Sequence, residues 1–262
     1  MKIREVKCKS ALSRSRLPGL VYALNPYRGC SHGCKYCYAS AVLRETRPWG
    51  EFVDVKRNAP TMLAKELRTK EKGIVGIGTV TDAYQPLEER FEITRMCLEQ
   101  LLRHGFPVNI QTKSSLVLRD TDLLCEFEEV EVGFTLTTLD EKWRRAFEPG
   151  ASPSKDRLVA MRDLSSRGIR TWAFIGPILP RVTERDIEGL LDGIADAGAS
   201  EVLVDKLNMK RDTWAKLRPV LEEHGMEGDW RNLVRDKTYF ENIVDRIFGS
   251  CETKGINCLS AF

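Results

Sequence analysis

Cys30, Cys34 and Cys37 stand in one short run from Asn25 to Tyr38, spaced C-x3-C-x2-C. Thiolates at such short, fixed intervals converge from a single loop, and Gly29 and Gly33 give that loop its turns. Iron–sulfur clusters are held by cysteines spaced in this way. A four-iron cluster with three local ligands keeps one iron open, and an open coordination position separates a catalytic metal from a structural one.

Other uses of three thiols fit the run less well. A zinc site usually shows two separated Cys/His pairs, and His32 is cramped between Cys30 and Cys34. A ferredoxin brings a fourth nearby cysteine, usually followed by proline. A disulfide is at odds with three clustered thiols and an N-terminus lacking an apolar signal region. A zinc-binding or non-catalytic cluster-binding protein stays as the alternative. Of the remaining cysteines, Cys8 is isolated, Cys97 and Cys125 sit among apolar neighbours and read as core, and Cys251 and Cys258 form a C-x6-C pair. That pair reads as two ordinary thiols unless the tail folds over the site.

The elements that must position the cysteines follow from periodicity. The 262 residues are 42% hydrophobic and 30% charged, with a net charge of +3. That describes an ordinary globular α/β chain, too mildly basic to announce a nucleic-acid partner. With no stretch of membrane-span length, the expected place is the cytoplasm. Apolar runs at 20–24, 74–80, 107–112, 130–137, 169–175 and 201–205 read as strands, and 52–56 as extended. Between them, helical stretches are expected at 39–44, 60–70, 87–104, 121–127, 140–147, 154–167 and 184–197. Strands alternating with helices argue for right-handed βαβ units and a parallel sheet. The glycines of Gly73 to Gly78 are wrongly spaced for a dinucleotide motif. Three regions are expected: a basic, solvated N-terminal arm (1–20), an α/β core (21–205) and a mainly helical C-terminal extension (206–262), with 233–248 as an amphipathic helix.

The cysteine spacing, with aromatic Tyr36 before the last cysteine, resembles the signature of the radical S-adenosylmethionine (SAM) superfamily. Asn25 to Cys30, Val55 to Asn58, Thr81 to Pro86 and Gln111 to Ser114 resemble its spore-photoproduct-lyase-like branch. The resemblance implies a partial (β/α)6 barrel, with a [4Fe–4S] cluster on Cys30, Cys34 and Cys37 at the C-terminal ends of the strands. It implies that SAM binds the open iron and is cleaved reductively to a 5′-deoxyadenosyl radical that abstracts a substrate hydrogen. An electron donor such as flavodoxin or ferredoxin is implied as a partner. Tyr36 matches a neighbour of the SAM adenine, and Lys113 a lysine that pairs with the SAM carboxylate. Thr81 and Asp82 match contacts to its methionine part, while Thr135 and Thr137 fill similar hydroxyl positions. Ile175 and Gly176 lie where adenine approaches the backbone. Read without the family, Lys113 is a solvated strand-end charge and Thr81-Asp82 a helix cap.

One departure bears on the reaction. Members of the branch that repair thymine dimers carry a cysteine at the end of the second strand, which returns a hydrogen atom to the product. Here Gly78 to Asp82 holds none, so Tyr38, which matches a tyrosine near that relay, lacks its partner. The expected reaction is therefore radical modification of another substrate (RNA, a peptide or a small molecule), with Tyr38, Tyr84, Trp49 and Asn208 lining the mouth. DNA-lesion cleavage is the alternative.

Overall fold

The structure, a computed structural model, describes residues 1–209 and 212–261. The strands are β1 (Lys2–Val6), β2 (Leu12–Arg14), β3 (Tyr22–Leu24), β4 (Tyr27–Arg28), β5 (Phe52–Lys56), β6 (Val75–Ile77), β7 (Val108–Thr112), β8 (Val130–Thr135), β9 (Arg170–Ile178), β10 (Glu201–Lys206) and β11 (Asn257–Ser260). The helices are α1 (Ala39–Val42), α2 (Ala59–Leu67), α3 (Glu88–Phe91), α4 (Ile93–Arg103), α5 (Thr121–Leu124), α6 (Glu141–Phe147), α7 (Ser154–Ser166), α8 (Ile187–Asp196), α9 (Thr213–Glu223), α10 (Glu227–Leu233) and α11 (Lys237–Thr253).

Eight strands make the main sheet, in the order β11-β10-β9-β8-β7-β6-β3-β2. Every neighbouring pair from β3 to β11 is parallel, and β2 runs antiparallel to β3 at the edge. This is the partial α/β barrel expected, with β11 as a further parallel strand. Alternation gives the sheet two unlike faces. Val108, Ile110, Val132, Phe134, Ala173, Ile175, Val202 and Val204 point outward and are buried with Leu98 and Leu101 of α4, Met161 of α7 and Leu190 of α8. Each of the valine, isoleucine, leucine, methionine and phenylalanine side chains contributes roughly 1.5–3 kcal/mol on burial. The inner face carries Asn109, Gln111, Glu131, Thr135, Trp172 and Phe174 instead. No helix among the described residues is long and apolar enough to cross a membrane.

The structure departs from the sequence reading in several places. The N-terminal arm is stitched to the fold: β1 pairs with β5, and the Glu66 carboxylate accepts the Ala11 and Leu12 amides at 2.8 and 3.0 Å. The helix expected over 87–104 breaks at Glu92, whose φ is +51°. Glu88 makes the break, because its carboxylate turns inward to accept the Thr94 and Arg95 amides at 3.0 and 3.3 Å, capping α4. The amphipathic stretch at 233–248 divides between the end of α10 and α11, whose first turn is capped by Asp236 at 3.2 Å from the Tyr239 amide. Cys97 is core, but Cys125 is exposed at the end of α5, where Leu124 takes the buried position.

Candidate active site

The cysteine loop follows β3 and β4 at the C-terminal ends of the parallel strands. Gly29 (φ +86°) and Gly33 (φ +61°) take left-handed turns, and a Cβ on Gly29 would stand 2.3 Å from the Phe52 carbonyl oxygen. Cys30 and Cys34 are buried and Cys37 half-buried.

Three segments hold this loop. After β6, the Thr81 hydroxyl donates to the Gly29 carbonyl at 2.7 Å, and the Gln85 side chain accepts the Ser31 amide at 2.8 Å. Asp82 lies between loop and sheet. Its Oδ1 accepts the Thr112 hydroxyl at 2.7 Å and the Tyr84 amide at 2.9 Å, its Oδ2 accepts the Lys113 amide at 2.8 Å, and His32 Nδ1 is 3.3 Å from Oδ2. Burial pushes the Asp82 pKa up, but His32, Lys113 and the Thr112 donor outweigh it and hold it well below the usual carboxylate range.

After α6, the Gly150 amide donates to the His32 carbonyl at 2.9 Å, and a Cβ there would stand 2.3 Å from the Ser31 carbonyl oxygen. The Tyr36 hydroxyl donates to Glu148, whose carboxylate also accepts the Thr137 hydroxyl at 3.2 Å and pairs with fully buried Arg157 at 2.5 Å. Burial raises the Glu148 pKa, while the Arg157 and Lys113 charges and the Tyr36 donor bring it below the ordinary glutamate value. The third segment comes from the extension: Lys216 of α9 donates to the Cys37 carbonyl and, at 2.8 Å, to the Ser40 hydroxyl, and lies 3.2 Å from Asp212.

Lys113 directly follows β7, with its ammonium 5.8 Å from the Tyr36 ring centroid and 3.5 Å from the Thr135 hydroxyl. Burial disfavours the cation, but the charges of Cys34, Glu148 and Asp82 raise its pKa above the ordinary lysine value. The Tyr38 hydroxyl donates to the Thr79 carbonyl at 2.7 Å while the ring is 44% exposed at the mouth.

The cysteines fit a cluster. Burial, then the Asp82 charge, pushes the Cys30 thiol up to about 12, and burial also raises Cys34 and Cys37. Bare thiolates are thus disfavoured there, and a bound cation reverses that preference by deprotonating its ligands. Cys30 and Cys34 each feel the charge of another of the three sulfurs, with Lys113 drawing Cys34 and Cys37 down. Among the described residues no three His, Cys, Asp or Glu side chains converge on a single-ion position.

The structure therefore brings together Cys30, Cys34, Cys37, Tyr36, Tyr38, Thr81, Asp82, Lys113, Thr135 and Thr137. The hydroxyls of Thr81 and Thr137 and the Asp82 carboxylate are committed to protein groups. Ile175 is fully buried on the outer face of β9, and the place of a Gly176 Cβ is filled by the Phe174 ring, 2.2 Å away. Tyr84 is no part of the mouth: it is fully buried, its hydroxyl donating to Asp120 at 3.1 Å. Trp49 packs edge-on against Phe52, and Asn208 is exposed. The C-x6-C pair lies at the opposite end, with Cys258 paired to Val202 near the start of β10. Sequence reasoning missed Gln85, Glu148, Arg157 and Lys216. Gln85 lay inside a quoted motif, while the other three carry no local signal.

Comparison with known proteins agrees with this geometry. An uncharacterized protein of Methanocaldococcus jannaschii is 31% identical over 258 residues, 98% of this chain and 95% of that protein. A protein of Pseudomonas phage M6 named radical SAM Nalpha-GlyT isomerase is 28% identical over 184 residues, 68% of this chain and 38% of its own length. Spore photoproduct lyase complexed with dinucleoside spore photoproduct superposes with a TM-score of 0.74 at 15% identity, covering 99% of this chain and 82% of that one, a likeness of fold. Residues 24–194 match the radical SAM superfamily, and the chain belongs to that family.

Proposed function

We propose that this chain is a radical SAM enzyme holding a [4Fe–4S] cluster through Cys30, Cys34 and Cys37 and using SAM to abstract a hydrogen atom from a substrate other than a thymine dimer. The observation that carries the reading is the buried three-cysteine loop at the mouth of a parallel barrel, facing the half-buried Lys113 ammonium. When bound, the cluster supplies the electron that cleaves SAM to methionine and a 5′-deoxyadenosyl radical. Lys113 offers a charge-assisted contact to the SAM carboxylate. Tyr36, fixed by Glu148, lines the adenine side together with the backbone at Ile175 and Gly176. Thr81, Asp82, Thr135 and Thr137 act from behind, setting the loop and the Lys113 strand end at fixed heights. A flavodoxin- or ferredoxin-like donor delivers the electron.

The alternative is lesion cleavage in DNA, supported by the likeness in fold to spore photoproduct lyase. Against it, Gly78 to Asp82 offers no thiol to return a hydrogen atom, and Tyr38 donates to a carbonyl rather than to a cysteine. One relative is named as an isomerase, a reaction class other than lyase repair. Anaerobic reconstitution with iron and sulfide, read by metal analysis and paramagnetic resonance, tests the cluster, and 5′-deoxyadenosine release tests SAM cleavage. Stoichiometric zinc without a cluster signal refutes the enzyme reading. SAM-dependent thymine release from irradiated DNA at a competent rate favours the alternative.

A further inference from the structure

The C-x6-C pair is a motif that the active site does not use, and the fold brings its two ends together. Cys251 stands in the last turn of α11 and is fully buried. That turn is tied to α8 on both sides of the cysteine, by the Ser250 hydroxyl on Glu188 at 2.7 Å and the Lys254 ammonium on Asp192 at 2.7 Å. The chain then reverses at Gly255 (φ +67°), and the Ile256 amide returns to the Cys251 carbonyl at 3.0 Å. β11 follows at once and pairs with β10, Cys258 standing opposite Val202. Parallel neighbours in register share a side of the sheet, so Cys258 takes the outward side of Val202, on which α11 packs.

The two thiols meet there and share a hydrogen bond. Cys251 has no exposed surface, while Cys258 is half-buried. Cys258 is also the only β11 side chain turned from solvent, Asn257, Leu259 and Ser260 being exposed. The contact changes the chemistry of the pair. The hydrogen bond from Cys258 draws the Cys251 thiol below its ordinary value against the effect of burial, with the Lys254 charge adding to it, and the same bond raises Cys258. The pair therefore gives up its first proton readily and keeps the second, and the charge belongs to both sulfurs rather than to one. One sulfur reachable from solvent with the other directly behind it is the layout of an attacking and a resolving thiol.

We propose that Cys251 and Cys258 form a redox-modification site, oxidised by a small-molecule disulfide to an intramolecular disulfide that fastens β11 to α11. Cys258, the accessible sulfur, attacks the external disulfide as the thiolate, forms a mixed disulfide and expels one external thiolate, while the shared proton stays on Cys251. Cys251 then loses that proton, attacks the Cys258 sulfur and expels the second external thiolate. The protein gives up two electrons and two protons, and the external disulfide takes them up as two free thiols. In the reduced chain β11 is an edge strand held by its pairing with β10 and by one half-buried side chain. In the oxidised chain that side chain is bonded to a helical turn that α8 holds in place. The inference does not rest on the proposed function, because the pair lies at the end of the barrel opposite Cys30, Cys34 and Cys37.

The test uses the full chain, held anaerobically in buffers of reduced and oxidised glutathione, quenched by alkylation and cut with trypsin after Arg246 and Lys254. The disulfide joins peptides 247–254 and 255–262, and at mildly oxidising ratios this joined form exceeds any that contains Cys8 or exposed Cys125 by about tenfold or more. Hydrogen exchange over β11 slows by about fivefold on oxidation, and Cys258→Ser abolishes the slowing. Both thiols free at a ratio that gives Cys125 its glutathione adduct overturns the proposal, as does Cys258 carrying glutathione without closing on Cys251. Joined peptides with unchanged exchange over β11 overturn the fastening of the strand.

Discussion

Replacing Asp82 by asparagine separates a scaffold carboxylate from a ligand carboxylate. The native side chain accepts from the Thr112 hydroxyl and Tyr84 amide on one oxygen and from the Lys113 amide on the other. Whichever way the substituted amide is turned, its NH2 faces an N–H or O–H donor. One charge-assisted hydrogen bond is lost, about 1.5–3 kcal/mol, and a buried donor is left unanswered, about 1–3 kcal/mol. The two overlap, so the expected loss is about 2–4 kcal/mol against a total of roughly 5–15 kcal/mol. Urea unfolding of the reduced apo-protein reads this as a midpoint lowered by about 1–2 M. The contribution has a definite pH window. An unfolded aspartate titrates near 3.8 and the native one well below it, so the stabilisation is complete above that value and disappears as pH falls through the native pKa. The gap between the two proteins should stay constant from about pH 8 to 5 and narrow below about pH 4. A midpoint shift under about 0.3 M at neutral pH would refute the scaffold role and return Asp82 to direct SAM binding.

Lys113→Met should weaken SAM binding by about 1.5–3 kcal/mol, roughly 10- to 150-fold by calorimetry, with cluster content unchanged; unaltered affinity removes Lys113 from the cofactor site. Glu148→Ala leaves Arg157 charged and fully buried, so a loss of about 3–5 kcal/mol is expected in urea unfolding, and Arg157→Met should cost less than Glu148→Ala if the stranded charge is the cause. Gly150→Ala places a methyl group 2.3 Å from the Ser31 carbonyl oxygen and should cost about 1–3 kcal/mol together with slower cluster uptake. Lys216→Met releases α9 from Cys37 and Ser40, and limited proteolysis should then cut between β10 and α9 several-fold faster, whereas an unchanged rate shows that α9 is held by its apolar face alone.

Periodicity was most informative where one residue's environment repeats along an element. Phe52 to Lys56 and Val108 to Thr112 are strands as expected, and Cys97 falls on a helix long enough to show its apolar phase. Cys125 follows a helix of a single turn, where one buried neighbour gives no phase, and it faces out. The strand expected through Val80 stops at Ile77, because Gly78 turns at φ +90°, where a Cβ would stand 2.9 Å from the Gln111 carbonyl oxygen. The cysteine ligands are legible because their chemistry is local. The groups that hold them are not: Thr81 meets Gly29 across 52 residues and Tyr36 meets Glu148 across 112. Such contacts exist only after the strands have brought their loops to one end of the barrel.

The reach of Lys216 back to the Cys37 carbonyl, 179 residues along the chain, sets an order of events during synthesis. The main sheet adds its strands from β3 onward in the sequence in which they leave the ribosome, so the cysteine loop and its neighbours after β6 and α6 can assemble while α9 is still untranslated. At about 5–20 residues per second, roughly 10 to 35 s separate Cys37 from Lys216. During that interval the end of the loop lacks the two contacts that Lys216 supplies. Once α9 docks, its lysine fixes the Cys37 carbonyl and the Ser40 hydroxyl, so the end of the cysteine loop reaches its final place only after the extension has been made.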